Sequence, residues 1–128
     1  MSTEGIGVVL CDDLAEMREL FRDVLEMDGL RVMGEAEDGE TAVRLAAELQ
    51  PDVIVLDLTM PVLDGLDAIP LIRERAPGTA IVVLSGHGEH DMAAPALAAG
   101  ADRYLSKGAE LAEISAVVRG AAESRGTG

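Results

Sequence analysis

A chain of 128 residues has the length of one domain, and at this size folding buries roughly 65–70% of the unfolded surface, enough for a self-sufficient core. Apolar residues make up 48% of the chain, which argues against intrinsic disorder, and an aromatic content of 2% leaves the core to Val, Ile, Leu, Met and Ala. A formal net charge of −14 is repelled by phosphate backbones and anionic bilayers, so the chain is not expected to bind nucleic acid or membrane surfaces directly.

The chain alternates apolar runs with segments of helical period. The first run, Ile6–Cys11, is continuous, and Leu14, Met17, Phe21, Val24 and Leu25 follow it at i, i+3, i+4, i+7 spacing until Gly29. Arg31–Ala36 is a weaker run suited to a sheet edge, and Ala42, Leu45, Ala46 and Leu49 form the next helical stripe before Pro51. Val53–Leu58 is continuous again; Leu66, Ile69 and Ile72 then lie between Gly65 and Pro77. Ala80–Leu84 is the fourth run, followed by a short helix from about Met92 to Ala99, ended by Gly100. Asp102–Ser106 reads as a second edge strand, and Leu111, Ile114, Val118 and Ala121 as the fifth helix. Pro70 and Pro95 fall inside the third and fourth helical patterns, so each of those helices should start late or kink. Residues 123–128 read as a flexible tail or the start of a linker after a domain covering 1–122.

Continuous apolar runs mark strands covered on both faces. Five β–α units therefore predict an α/β domain: a doubly wound, five-stranded parallel sheet of order 2-1-3-4-5 with five helices, as in flavodoxin-like folds. The single cysteine, Cys11, allows no internal disulfide and fits a buried core position in a reducing, cytoplasmic compartment. No basic segment followed by an apolar run opens the chain, so no secretory leader is expected, and no apolar run is long enough to span a bilayer.

In such a sheet ligands bind at the carboxyl ends of the strands. Those ends carry Cys11-Asp12-Asp13, Asp57, Ser85 and Ser106-Lys107, and Lys107 is the one lysine among nine arginines. Each has an ordinary reading as well. Asp13-Leu14-Ala15-Glu16 has the form of a capping box, Asp64-Gly65 of a turn and N-cap, Ser85 of a loop hydroxyl and Lys107 of a solvated charge. Asp12 caps nothing obvious, and Asp57 directly after Val-Ile-Val-Leu is costly as an unpaired charge. With strands 1 and 3 adjacent, Asp12, Asp13 and Asp57 converge and repel, and all-oxygen ligands favour a hard cation, Mg²⁺. A metal over a carboxylate, with a hydroxyl and an ammonium opposite, makes a cradle for a phosphoryl group, and the carboxylate itself can be the nucleophile.

Asp12-Asp13 after strand 1, Asp57 within Val-Ile-Val-Leu-Asp-Leu-Thr-Met-Pro-Val-Leu-Asp-Gly, Ser85 after strand 4 and Lys107 after Gly-Ala-Asp-Arg-Tyr-Leu-Ser together resemble the CheY-like receiver domain of two-component response regulators, from about Ile6 to Ala122. The resemblance implies that Asp57 is the phosphoacceptor and that Asp12, Asp13, Asp57 and the backbone carbonyl of Thr59 hold Mg²⁺. It further implies that Ser85 and Lys107 meet the phosphoryl group and that Ser85 and Tyr104 form the switch toward helix 4, strand 5 and helix 5. It implies a phosphorelay protein that promotes only its own phosphorylation and dephosphorylation. The implied phosphate source is a sensor histidine kinase or small phosphodonor. The output would be a partner protein, an attached domain, or a phosphorylation-dependent homodimer. Two departures stand out: Gly108 replaces the proline that many receivers carry after the lysine, and Pro95 is unusual in the fourth helix. The Lys107-Gly108-Ala109 run resembles receivers attached to LuxR-type DNA-binding domains, which makes a fragment of such a regulator the alternative.

Other signals carry less. Gly5-Ile6-Gly7 precedes a strand instead of following one, so it is not a dinucleotide loop. The acidic loop after strand 1 argues against an FMN phosphate site. Haloacid-dehalogenase-type phosphatases need a second Asp where this chain has Thr59. His87 and His90 have metal-like spacing but no evident third ligand, and the acids of the first helix read as a solvated face.

Overall fold

The computed structural model describes residues 5–58, 60, 62–85, 92–106 and 111–127. Five strands alternate with five helices: β1 (Gly7–Cys11), α1 (Ala15–Met27), β2 (Arg31–Ala36), α2 (Gly39–Leu49), β3 (Val53–Asp57), α3 (Gly65–Arg75), β4 (Ala80–Ser85), α4 (Ala93–Ala99), β5 (Arg103–Ser106) and α5 (Leu111–Thr127). All strand pairs are parallel, as the continuous apolar runs predict, and the order is β2-β1-β3-β4-β5, that of the expected doubly wound fold. The two weaker runs are the edges.

The continuous runs are explained by two cores. Side chains alternate across a strand, so Val8, Leu10, Val53, Val55, Val82 and Leu84 join Phe21 and Leu25 of α1 and Ile114 and Val118 of α5. Their neighbours Val9, Cys11, Ile54, Leu56, Ile81 and Val83 pack on the other face against Ala42 and Ala46 of α2, Ile69 and Ile72 of α3, and Ala96 of α4. With both faces covered, each strand position buries roughly 1.5–3 kcal/mol worth of Val, Leu or Ile side chain. The sheet's orientation is thereby fixed, and only the strand ends are left for chemistry.

The helix boundaries depart from the sequence reading in three places. Asp13 is not an N-cap: α1 is preceded by Leu14, which supplies no side-chain cap, and the Leu14 N–H donates instead to Asp12 Oδ1 at 2.9 Å. The turn into α1 is made instead by Asp12, an aspartate anchored to the sheet, whose side chain accepts the N–H two residues on. Pro70 does not delay α3, which starts at Gly65 and runs past it. Pro70 faces solvent, and burial of Ala68, Ile69 and Ile72 holds the segment helical. α5 continues beyond Ala122 to Thr127, through most of the segment read as a tail. α4 does start late, at Ala93, which puts Pro95 in the first turn, where its missing N–H has no partner to lose.

The amino edge of the sheet is closed by polar side chains. Asp52 Oδ2 accepts from the Gly7 N–H at 2.8 Å, and Arg73 ties α3 to the β4 and β5 entries by donating to the Thr79 and Gly100 carbonyls and to Asp102 Oδ2. At the start of α2, Asp38 accepts from the Thr41 N–H at 2.7 Å, and that bond holds the Asp38 carboxyl below its ordinary value. The lowered value means the cap stabilises the fold above the unfolded-state pKa, and the contribution is lost as pH falls through the folded-state value. Asp38→Ala should therefore cost about 1 kcal/mol in urea denaturation at neutral pH, with the difference from the parent shrinking as the buffer is acidified.

Candidate functional site

The carboxyl edge gathers the residues predicted from sequence. β1 continues into Asp12, whose N–H still bonds the Ala36 carbonyl of β2 at 3.0 Å. This extra rung keeps Asp12 in the sheet and buries it to 3% exposure. Its Oδ1 accepts the Leu14 N–H, which turns the chain into α1. Asp57 is the last residue of β3 and is also 3% exposed. Because β1 and β3 are hydrogen-bonded neighbours, each of Asp12, Asp13 and Asp57 places a carboxylate oxygen within 4.8 Å of the others. Asp13 is the exposed member and gives the cluster its opening to solvent.

Two buried carboxylates beside a third repel one another in a medium that solvates them poorly. The donor set, all carboxylate oxygen, suits a hard divalent cation, and the group can hold a metal ion. Ser85 closes β4 one residue beyond Leu84, the register partner of Asp57. Its Oγ is 1% exposed as a residue and has no hydrogen-bond partner among the described residues. A buried hydroxyl in that condition costs roughly 1–3 kcal/mol, which points to a group it meets in another state. Tyr104 is half-buried on β5 opposite Val83 and packs against the α2–α3–α4 core, on the sheet face that Ser85 continues. Thr59, Lys107, His87 and His90 lie outside the described residues.

Sequence reasoning missed three features. The first is Gly65, whose N–H bonds the Leu58 carbonyl at 2.8 Å; a Cβ there would collide with the Asp57 carbonyl oxygen and Leu58 Cα. The Asp-Gly pair was legible as turn and cap, and Asp64 does accept the Asp67 N–H at 3.0 Å, but the close approach to Asp57 was not. The second is Val62, with φ 70° and 75% exposure in the loop after β3. A β-branched residue in the left-handed region is strained, and no pattern of residue types signals it. The third is Arg18, which donates to the Asp12 carbonyl at 2.6 Å and which no sequence pattern singled out. Cys11 is a core residue as expected; burial first, then Asp12, pushes its thiol well above the ordinary value and keeps it unreactive.

A family model described as response regulator receiver domain matches residues 8–119. The chemotaxis protein CheY of Thermotoga maritima is 39% identical over 103 residues, 80% of this chain and 86% of that protein. The transcriptional regulatory protein LiaR of Bacillus subtilis is 40% identical over 119 residues, 92% of this chain but only 56% of LiaR. The signal receiver domain of the putative response regulator NarL from Mycobacterium tuberculosis superposes with a TM-score of 0.86 at 33% identity, covering 94% of this chain and 98% of that one.

Two substitutions test the loop that carries the acidic site. Gly65→Ala should destabilise the protein by about 1–3 kcal/mol, because the added methyl must displace the Asp57 backbone. Val62→Asn should do the opposite and add about 1 kcal/mol, since asparagine tolerates the left-handed region. Urea denaturation of both variants measures each sign directly.

Proposed function

The chain belongs to the response regulator receiver domain family, and from that premise we propose that Asp57 is its phosphoacceptor, with Asp12 and Asp13 holding Mg²⁺ against it. The observation that carries this reading is the convergence of three carboxylates within 4.8 Å at the strand ends. The buried, unsatisfied Ser85 hydroxyl on the neighbouring strand supports it. Receiver domains are regulatory phosphoacceptors. They work with histidine kinases and output domains.

In the proposed reaction an Asp57 carboxylate oxygen attacks the phosphorus of a phosphohistidine or of a small acyl phosphate. A new P–O bond forms, the bond to the donor breaks, and the leaving group keeps the electron pair. When bound, Mg²⁺ offsets the carboxylate repulsion and the charge on the transferred phosphoryl oxygens. Asp12 is fixed by its bond from the Leu14 N–H, and Asp13 reaches in from the open side. Ser85 donates its hydroxyl to the phosphoryl group, and Lys107 supplies the compact ammonium. The Thr59 backbone carbonyl completes the metal ligands. For Lys107 and Thr59 the support is the sequence pattern alone. Water attack on the same phosphorus reverses the modification, so the chain promotes only its own phosphorylation and dephosphorylation.

The output follows from the shared sheet face. When Ser85 is drawn toward the phosphoryl group, Tyr104 gains room to turn inward, and α4, β5 and α5 present a changed surface to a partner protein, an attached domain or a second copy of the chain. The proposed receiver unit is residues 1–122, with α5 continuing as helix through Thr127. No helix among the described residues is long and apolar enough to cross a membrane, and with one buried, unpaired cysteine a cytoplasmic setting fits. A second reading is favoured by LiaR, of which the chain spans about half: the same receiver as the front part of a LuxR-type DNA-binding regulator.

Incubation with acetyl phosphate and Mg²⁺ should add one phosphoryl mass to the intact chain, and Asp57→Asn should abolish it. Asp13→Ala should raise thermal stability in EDTA, where repulsion is relieved, while lowering Mg²⁺ affinity. Labelling of Asp57→Asn at the parent rate would overturn the assignment.

A further inference from the structure

Arg18 lies on the second turn of α1 with 15% of its side chain exposed. One nitrogen of its guanidinium, Nη1, donates to the Asp12 carbonyl at 2.6 Å, and Nε donates to Glu35 Oε1 at 3.1 Å. Arg22, one turn on, holds the other oxygen of Glu35 at 2.6 Å. Glu35 belongs to β2 and directly precedes Ala36, whose carbonyl accepts the Asp12 N–H. Asp12 is thus held at three atoms: its N–H by β2, its Oδ1 by the Leu14 N–H, and its carbonyl by α1 through Arg18. The third contact is the unexpected one, because it places a cation beside the carboxylate cluster proposed to bind another cation. Coulomb's law alone makes that placement unfavourable for metal binding.

We propose that Arg18, oriented by Glu35, is a positioning residue for the acidic pocket: it fixes the Asp12 carbonyl and through it the angle at which the Asp12 carboxylate meets Asp13 and Asp57. The fork geometry is essential to this role. A guanidinium presents Nε and Nη1 in one rigid plane, so one side chain bonds Glu35 and the Asp12 backbone together. Groups hydrogen-bonded to metal ligands tune affinity by orienting them. Here the orientation passes through the main chain of the ligand residue. The inference rests on the metal-binding reading of the pocket given above.

Charge and geometry predict opposite signs, which makes the test decisive. Mg²⁺ is titrated calorimetrically into the full 128-residue chain and into Arg18→Ala and Arg18→Lys, with circular dichroism showing each variant folded at the titration temperature. Arg18→Ala should bind Mg²⁺ roughly tenfold more weakly than the parent. Arg18→Lys keeps the charge but not the fork, and its affinity should lie nearer to Arg18→Ala than to the parent. Tighter binding in Arg18→Ala, or parent affinity in Arg18→Lys, would mean that only charge matters and would overturn the proposal. So would a lowered melting temperature with unchanged Mg²⁺ affinity, the signature of a purely structural contact. If Arg18→Ala does not fold, Arg18→Lys, with its stem and charge intact, decides alone. Failure of the pocket reading looks different: the parent itself, or Asp13→Ala beside it, shows no carboxylate-dependent Mg²⁺ binding, and the Arg18 role falls with it.

Discussion

The repulsion among Asp12, Asp13 and Asp57 is the constraint around which the rest of the structure is arranged. Two of the three are nearly without solvent, and both sit at the end of strands whose other residues are wholly apolar. Left to itself, such a cluster would splay the β1–α1 turn away from β3. It cannot, because the strands that carry it are locked between two hydrophobic cores, each drawing alternate residues from the same strands. Burial on both faces supplies the free energy that holds like charges together. Parallel strand order decides which charges meet: β1 and β3 are neighbours in space though separated by β2 in sequence.

The two edges of the sheet are treated differently, and the difference explains where chemistry is possible. At the amino edge, Asp52, Arg73, Asp102 and Thr79 satisfy one another and the backbone with direct hydrogen bonds. Asp102 Oδ2, for instance, accepts from both Arg73 and the Ile81 N–H. At the carboxyl edge three carboxylates converge instead, acceptors facing acceptors, and the Ser85 hydroxyl has no partner among the described residues. Convergence of like charges is costly for a purely structural edge and is what a cation-binding edge requires. The loop after Asp57 shows the same bias, since it tolerates a left-handed valine and depends on a glycine pressed against the Asp57 backbone.

Much of this was legible in the sequence, for physical reasons. Continuous runs such as Val-Ile-Val-Leu report burial on both faces, and parallel topology follows from that together with the alternation of helices. Asp12 and Asp57 were legible because a carboxylate at the end of such a run contradicts its surroundings. What stayed hidden depends on distances across the fold. The capping box at Asp13 is a correct local pattern overridden by the sheet, which recruits Asp12 to the Leu14 N–H. Pro70 is a real breaker overruled by the burial of Ile69 and Ile72 on either side of it. Arg18 shares its helix with other charged residues, and nothing in residue type separates the one that reaches Asp12 from those that reach water. Gly65 was visible as a turn, yet its reason, the absence of room beside Asp57, exists only in three dimensions.

The unsatisfied hydroxyl of Ser85 also sets the energy scale on which the proposed switch can work. A conformational equilibrium responds only to interactions that differ between its two states. A phosphoryl oxygen at Asp57 would offer Ser85 the acceptor it now lacks, recovering a cost of roughly 1–3 kcal/mol. Every 1.4 kcal/mol is about a tenfold change in an equilibrium constant, so that single bond is enough to invert a mildly biased population. The reporter must then feel the movement without touching the phosphoryl group. Tyr104 meets that condition: it lies one strand away, opposite Val83, on the face that Ser85 would vacate, and it is half-buried, neither locked in the core nor free of it. In the proposed switch that ring would have two environments available, and the bond formed at Ser85 would decide between them.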